Sequence, residues 1–358
     1  MLKKIIISSF LLFSALMAFS QILKFKMRKI VILPILLLIF VTGCNWKKDR
    51  LNVDVSGIKI ADVKIHRYDL DLFKIPTTDL ENGLKSIQHQ YFFFLGTDLN
   101  NPVKLTEMRD YLLNPRNIDF QHAVKAKYGD LTKTENGLTG LFRHYKYYFP
   151  NARIPRVYSY ISGGDYENPA QLADSVLLIA LDTYLGKDFK PYLADGLPLY
   201  KAGRMTEEYI VPDAARELVN SMYAPDPSLM TLLDRVVEVG KQLYLVQALL
   251  PGTSPQLILC YPPVKYDWIV KNESHVWAAI IENKMLFSGS GDLIRIFLAD
   301  GPNTPDFSAD SPPRLGEWIG LQIVSSFMRN NPDITIPELM SQKDSQKILS
   351  MSGYKPEK

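Results

Sequence analysis

Three acidic side chains are spaced so that they could share one hard cation. Asp213 and Glu217 stand four residues apart, which on a helix turns both to the same face, and Glu238 follows in the next helical segment, within Glu238-Val239-Gly240-Lys241. Carboxylate oxygens suit calcium or magnesium better than zinc. The same residues have a plainer use as surface helix charges that bond Arg216, Lys241 or backbone groups, and that reading stands beside the first. The five histidines, His66, His89, His122, His144 and His275, never fall at H-x-H or H-E-x-x-H spacing, so no zinc signature is intact. Glu273 and His275, two apart on a helical stretch, point to different faces and read as solvated charges. There is no G-x-G-x-x-G, no Walker loop and no G-x-S-x-G. Ser288-Gly289-Ser290-Gly291-Asp292 lacks a preceding strand and reads as a helix stop. No cofactor and no catalytic residue is assigned.

A second chemistry belongs to a thiol. The chain has two cysteines, Cys44 and Cys260. Residues 27–44 run Met-Arg-Lys, then apolar from Ile30 to Val41 apart from Pro34, then Thr42-Gly43-Cys44. A short basic start, an apolar run of about a dozen residues and a small-residue cleavage site make the secretory layout, too short to span a bilayer comfortably. The Val41-Thr42-Gly43-Cys44 ending resembles the lipobox of bacterial lipoproteins, in which the cysteine is acylated and becomes the mature N-terminus. Small residues at 42 and 43 admit the peptidase, and only a thiol forms the thioether. Cys44 is thus the expected lipidation site, and two or three acyl chains on one cysteine hold a protein at a membrane effectively permanently. Residues 1–26 carry a second such run, Ile5 to Phe19, so Met27 is read as the true start and the upstream stretch as an extension or an extra leader; a two-helix membrane anchor is the alternative. A lipidated Cys44 cannot pair with Cys260, which becomes a single thiol beside Leu257-Ile258-Leu259, expected to be buried and inert.

The elements that must position these groups follow from periodicity. With 358 residues, 47% apolar and 22% charged, the chain has enough apolar surface to bury a sizeable core. A net charge of +3, part of it in the leader, gives no electrostatic footprint for nucleic acid. The organisation expected is an export signal over 1–44, a tether over 45–56 and a single globular domain over 57–358. Alternation at 58–60 and 63–68 predicts a strand, and helical spacing predicts helices over 77–94, 104–113, 117–128 and 135–148. Two apolar runs, 156–162 and 175–182, read as strands, the second of them buried. Residues 186–203, cut by Gly186, Pro191, Gly196 and Pro198, read as a long irregular loop, the sequence's candidate for a ligand pocket. Helices return from Thr206, from Pro227-Ser228 to Pro251, over 264–287, to Met328 and over 336–349. The fold class is α+β, mostly helical with a small sheet.

Several stretches also carry a family resemblance. Leu232-Leu233-Asp234-Arg235 running into Glu238-Val239-Gly240-Lys241-Gln242-Leu243-Tyr244, Trp268 with Asn272-Glu273 and Val276-Trp277, Pro312-Pro313-Arg314-Leu315-Gly316-Glu317-Trp318-Ile319-Gly320, and Gln346-Lys347-Ile348-Leu349 with Tyr354-Lys355-Pro356 resemble the gliding-motility lipoprotein B (GldB) family of Bacteroidetes. The resemblance spans most of the chain after Cys44. It implies a lipoprotein of the cell envelope, on the periplasmic face of a membrane, associated with proteins of the gliding machinery and its linked secretion system, and without established catalytic activity. The family is distantly similar to predicted zinc peptidases of zincin type. In a gluzincin layout, Asp213 and Glu217 take the two histidine places, Glu238 the third ligand's place and Ala214 that of the general base, which implies a degenerate zincin-like architecture. A metal-dependent hydrolase using the three carboxylates is the rival function.

Overall fold

Only three residues of the opening alternating stretch pair as a strand, β1 at Ile65–Arg67, in the computed structural model, which describes residues 50–223 and 226–356. Side chains take up backbone groups that a longer ladder would use: the N–H of Val63 donates to Thr139 Oγ1 at 3.0 Å and that of Ile65 to Glu135 Oε1 at 3.0 Å. The leader, Cys44 and the tether as far as residue 49 lie outside the described residues.

Six helices follow: α1 (Tyr68–Asp71), α2 (Leu80–Ile87), α3 (Phe92–Leu95), α4 (Pro102–Leu113), α5 (Pro115–Lys127) and α6 (Thr132–Tyr148). Asn101 and Asn114 cap α4 and α5, each followed by a proline at the first helical position, where no N–H is needed. The single helix expected over 77–94 is interrupted after Ile87. There the ring of Tyr91 is fully buried against Tyr68, and its hydroxyl donates to Asp71 at 2.5 Å, a tertiary demand that helical spacing does not reveal.

Three further strands, β2 (Arg156–Tyr160), β3 (Ala170–Ala173) and β4 (Val176–Ala180), complete a sheet of order β1-β2-β4-β3. β1, β2 and β4 are parallel, with Ile65 opposite Val157 and Val157 opposite Leu177; β3 turns back antiparallel through Asp174, whose φ is 53°. Every residue of β4 is buried, the mark of a parallel strand covered on both faces. β3 escaped the sequence reading because four residues, Ala-Gln-Leu-Ala, carry no alternation. The stretch 186–203 holds two short helices, α7 (Lys190–Ala194) and α8 (Leu199–Ala202), too brief to show a period.

The remaining helices are α9 (Ile210–Met222), α10 (Leu232–Leu249), α11 (Pro255–Leu259), α12 (Pro263–Glu282), α13 (Gly291–Leu298), α14 (Leu315–Asn330), α15 (Ile336–Ser341) and α16 (Ser345–Ser352). α10 begins later than expected, at a capping box in which Thr231 and Asp234 each bond the other's backbone N–H. Ser288–Asp292 is a helix start as well as a stop, since Ser290 caps α13. The helix expected over 336–349 is split because the Gln342 carbonyl turns inward to accept from the buried Lys241 Nζ at 2.9 Å, and Asp344 caps the new helix. α10 and α14 cross at Gly240 and Gly320, where the two backbones touch.

The fold is therefore α+β, mostly helical with a small four-stranded mixed sheet, and the residues from Val53 onward form one compact unit. Among the described residues no helix is long and apolar enough to cross a membrane.

Candidate functional site

The sequence singled out α9, where the structure sets two carboxylates toward the sheet and an arginine next to them toward α11 and α14. Asp213 and Glu217 do share a face, directed to the sheet. The Tyr184 hydroxyl, just beyond β4, donates to Asp213 Oδ2 at 2.9 Å, and one turn later Glu217 Oε1 accepts the N–H of Leu172 on the edge strand β3 at 3.0 Å. Glu217 thereby blunts a strand edge. Glu238 instead forms a 2.6 Å ion pair with Lys241, one turn along α10. The three carboxylates thus have three different partners. Among the described residues no group of three or more His, Cys, Asp or Glu side chains is arranged to hold a metal ion. Glu273 accepts from the Tyr354 hydroxyl at 2.7 Å and ties down the C-terminal segment, while His275 is exposed.

Beside Asp213 on α9, Arg216 enters a charge network centred on the buried Arg314 and Glu317. Arg216 donates through Nη1 to the Ile258 carbonyl at 2.6 Å and pairs through Nη2 with Glu317 Oε1 at 2.8 Å. Arg314, at the start of α14 with φ 54°, donates to the Leu259 carbonyl at 2.8 Å, faces Glu317 Oε2 at 3.7 Å and pairs with Asp300 at 3.4 Å. Arg204 closes the chain on Asp300 at 2.5 Å, and the Tyr261 hydroxyl donates to the Arg314 carbonyl at 2.9 Å. Physically, two guanidinium groups clamp the last carbonyls of α11, whose partial negative charge and missing hydrogen-bond partners both favour cations. Arg204, Arg216 and Arg314 are matched by Asp213, Asp300 and Glu317 in number, so the network is close to neutral.

Cys260 ends α11 in the left-handed conformation at φ 54°, fully within this network. Burial and the nearby Asp213 push its thiol pKa up against the pull of the three arginines, so it stays a protonated, weakly reactive thiol. Burial is also the largest cause acting on Asp213, whose pKa is pushed up to about 6 against the opposing effects of Tyr184 and the arginines. Asp213 is thereby moved toward the neutral range where a side chain can exchange a proton.

That shift has a sign. A carboxyl with a folded pKa above its ordinary 3.8 keeps its proton longer in the native state than in the unfolded chain, so its contribution is fully present at low pH and is lost as pH rises toward about 6. Asp213→Asn keeps an acceptor for Tyr184 and removes the titration. Denaturant melts across pH 4 to 7 are expected to show a shallower fall in stability for the variant; parallel curves would assign the proton elsewhere.

The sequence reading missed Arg204, Asp300 and the pairing of Arg314 with Glu317. A signal existed for the last pair, since Arg314-Leu315-Gly316-Glu317 places opposite charges three apart in an otherwise apolar stretch.

Comparisons with known proteins bear on the chain as a whole. Comparison with curated proteins gave no match, and comparison with solved structures gave none. The sequence model of the family described as Gliding motility protein GldB matches residues 48–356. Because that match takes in nearly the whole chain after Cys44, with the buried network of α9, α11 and α14 inside it, this chain belongs to the gliding motility protein GldB family.

Proposed function

We propose that this protein is anchored in the cell envelope by lipid on Cys44 and supports gliding motility, or the secretion machinery linked to it, through contacts with other proteins of that machinery. The observation that carries this reading is the family match over residues 48–356, a lipoprotein family of gliding motility, joined to the Val41-Thr42-Gly43-Cys44 signal directly before it. The division into an export signal over 1–44, a tether over 45–56 and a body over 57–358, facing the periplasm, belongs to the same proposal. Supporting a role by contact rather than by catalysis, Asp213, Glu217 and Glu238 are each engaged by a different neighbour, and the Ala214 side chain offers no base.

Deletion of the gene is expected to disturb gliding or the export of envelope proteins, and Cys44→Ser is expected to reproduce the deletion. Radiolabelled palmitate is expected to enter the wild-type chain and not Cys44→Ser. Equal labelling of both chains, or normal motility and secretion in the deletion strain, would overturn the proposal.

A further inference from the structure

At the carboxyl end of β2 the fold leaves a cavity of about 550 Å³ between the sheet and helices α1 to α4. It lies away from the 186–203 stretch, and its size is that of sites for small organic molecules, typically about 300 to 1,000 Å³. In open parallel sheets, ligands bind outside the carboxyl ends of the strands. Its walls are mostly apolar and deeply buried, with Leu72, Leu84, Leu95 and Leu99 all below 8% exposure, while Asp98, Lys104 and Glu107 stand exposed at the mouth.

The floor is polar in a specific way. Tyr68 lines the cavity, is 6% exposed and stacks on Phe94 with ring centroids 4.1 Å apart, yet its hydroxyl has no hydrogen-bond partner among the described residues. An unpaired hydroxyl lining a cavity has its proton to give. Tyr160, on the same floor, accepts from Gln171 at 3.0 Å and has its own proton to give, whereas Tyr111 spends its proton on the Ile161 carbonyl at 2.6 Å. Beneath them, Asp182 is fully buried and held by the Ser162 N–H at 2.8 Å, the Ser162 hydroxyl at 2.8 Å and the Gly164 N–H at 3.0 Å, with no cation in its hydrogen-bonding shell. Asp69, also buried, is neutralised by Arg67 at 2.7 Å. Among the described residues, the floor therefore offers hydrogen-bond donors and no unpaired cation. A neutral acceptor is favoured there, because an anion would lose its water among apolar walls without a cation on the floor to pair with.

We propose that this cavity binds an uncharged apolar molecule bearing a carbonyl oxygen, of the acyl-ester or acyl-amide class, with the Tyr68 hydroxyl donating to that oxygen and the leucine walls covering the acyl chain. The site stands independently of the anchoring on Cys44. An apolar side chain of a partner protein is a different occupant; the volume exceeds that of one side chain, which favours the small molecule.

The test uses the full chain in lipid nanodiscs and two photoreactive probes with the same ten-carbon, diazirine-bearing chain, one a monoacylglycerol and the other a free fatty acid. The ester is expected to label peptides carrying Phe94 and Met108, and the acid to label them roughly tenfold less. Tyr68→Phe is expected to lower ester labelling about fivefold, the worth of one hydrogen bond, with a melting temperature unchanged or raised because the hydroxyl removed has no protein partner. Met108→Trp, which fills the mouth, is expected to abolish labelling. Equal labelling of wild type and Tyr68→Phe, labelling by the acid as strong as by the ester, or no labelling above background, which would leave the cavity to a partner's side chain, would each overturn the proposal.

Discussion

Replacing Arg216 by alanine is expected to lower the stability of the body by about 3 kcal/mol, the lower end of the usual cost of breaking a buried ion pair, because the carboxylate left behind is buried although the Arg216 side chain is 21% exposed. The reason is what remains behind. Glu317, with 8% of its side chain exposed, keeps only Arg314 at 3.7 Å, a separation without a hydrogen bond, and the Ile258 carbonyl at the end of α11 loses its donor. A whole ion pair carries much less net stability than its breakage suggests, because taking two charges out of water offsets most of their attraction. The double variant Arg216→Met with Glu317→Met is therefore expected to recover part of the loss relative to Arg216→Ala. Urea unfolding of the three chains measures both effects. A loss below about 1 kcal/mol for Arg216→Ala, the range of surface pairs, would mean that water reaches the network.

A loss of similar size is expected from one methyl group at the crossing of α10 and α14. A Cβ on Gly320 would lie 1.7 Å from the Val236 carbonyl oxygen, and one on Gly240 would lie 2.3 Å from the Gly320 carbonyl carbon and oxygen. Both obstacles are backbone, so no rotamer change relieves them. Alanine ordinarily stabilises a helix by about 1 kcal/mol relative to glycine. Here overpacking, typically about 1 to 3 kcal/mol and more when helices must separate, outweighs that gain. Gly140 in α6 is the internal control, since a Cβ there meets nothing within 4 Å. Gly320→Ala is expected to lower the melting temperature sharply and Gly140→Ala to raise it slightly. A rise in both would show that the two helices cross elsewhere.

These two sites also mark where the sequence was informative and where it was not. Long periodic segments and continuous apolar runs announce themselves, so α4, α5, α6 and the buried strand β4 lie where their patterns predict, while α9 and α10 are found with later starts. Elements of four or five residues such as β3, α7 and α11 are held by neighbours, Glu217 for the edge of β3 and the two arginines for the end of α11, and no local pattern records that help. The shared face of Asp213 and Glu217 was legible from their spacing. The Arg216–Glu317 pair was not, because its members stand 101 residues apart. Gly240 and Gly320 were legible as glycines inside helices but not as each other's partners, a relation set by the crossing of two helices that the chain connects only through α11, α12 and α13. The unpaired hydroxyl of Tyr68 is likewise a property of the packed cavity, not of its neighbours in sequence.

The proposal that a GldB-family body acts from a membrane surface to which Cys44 ties it is tested by rescue. In a strain lacking the gene, the wild-type chain is expected to restore gliding or envelope-protein export, while a Cys44→Ser chain produced at equal level is expected to leave the strain as defective as the deletion. Full rescue by Cys44→Ser would contradict the claim.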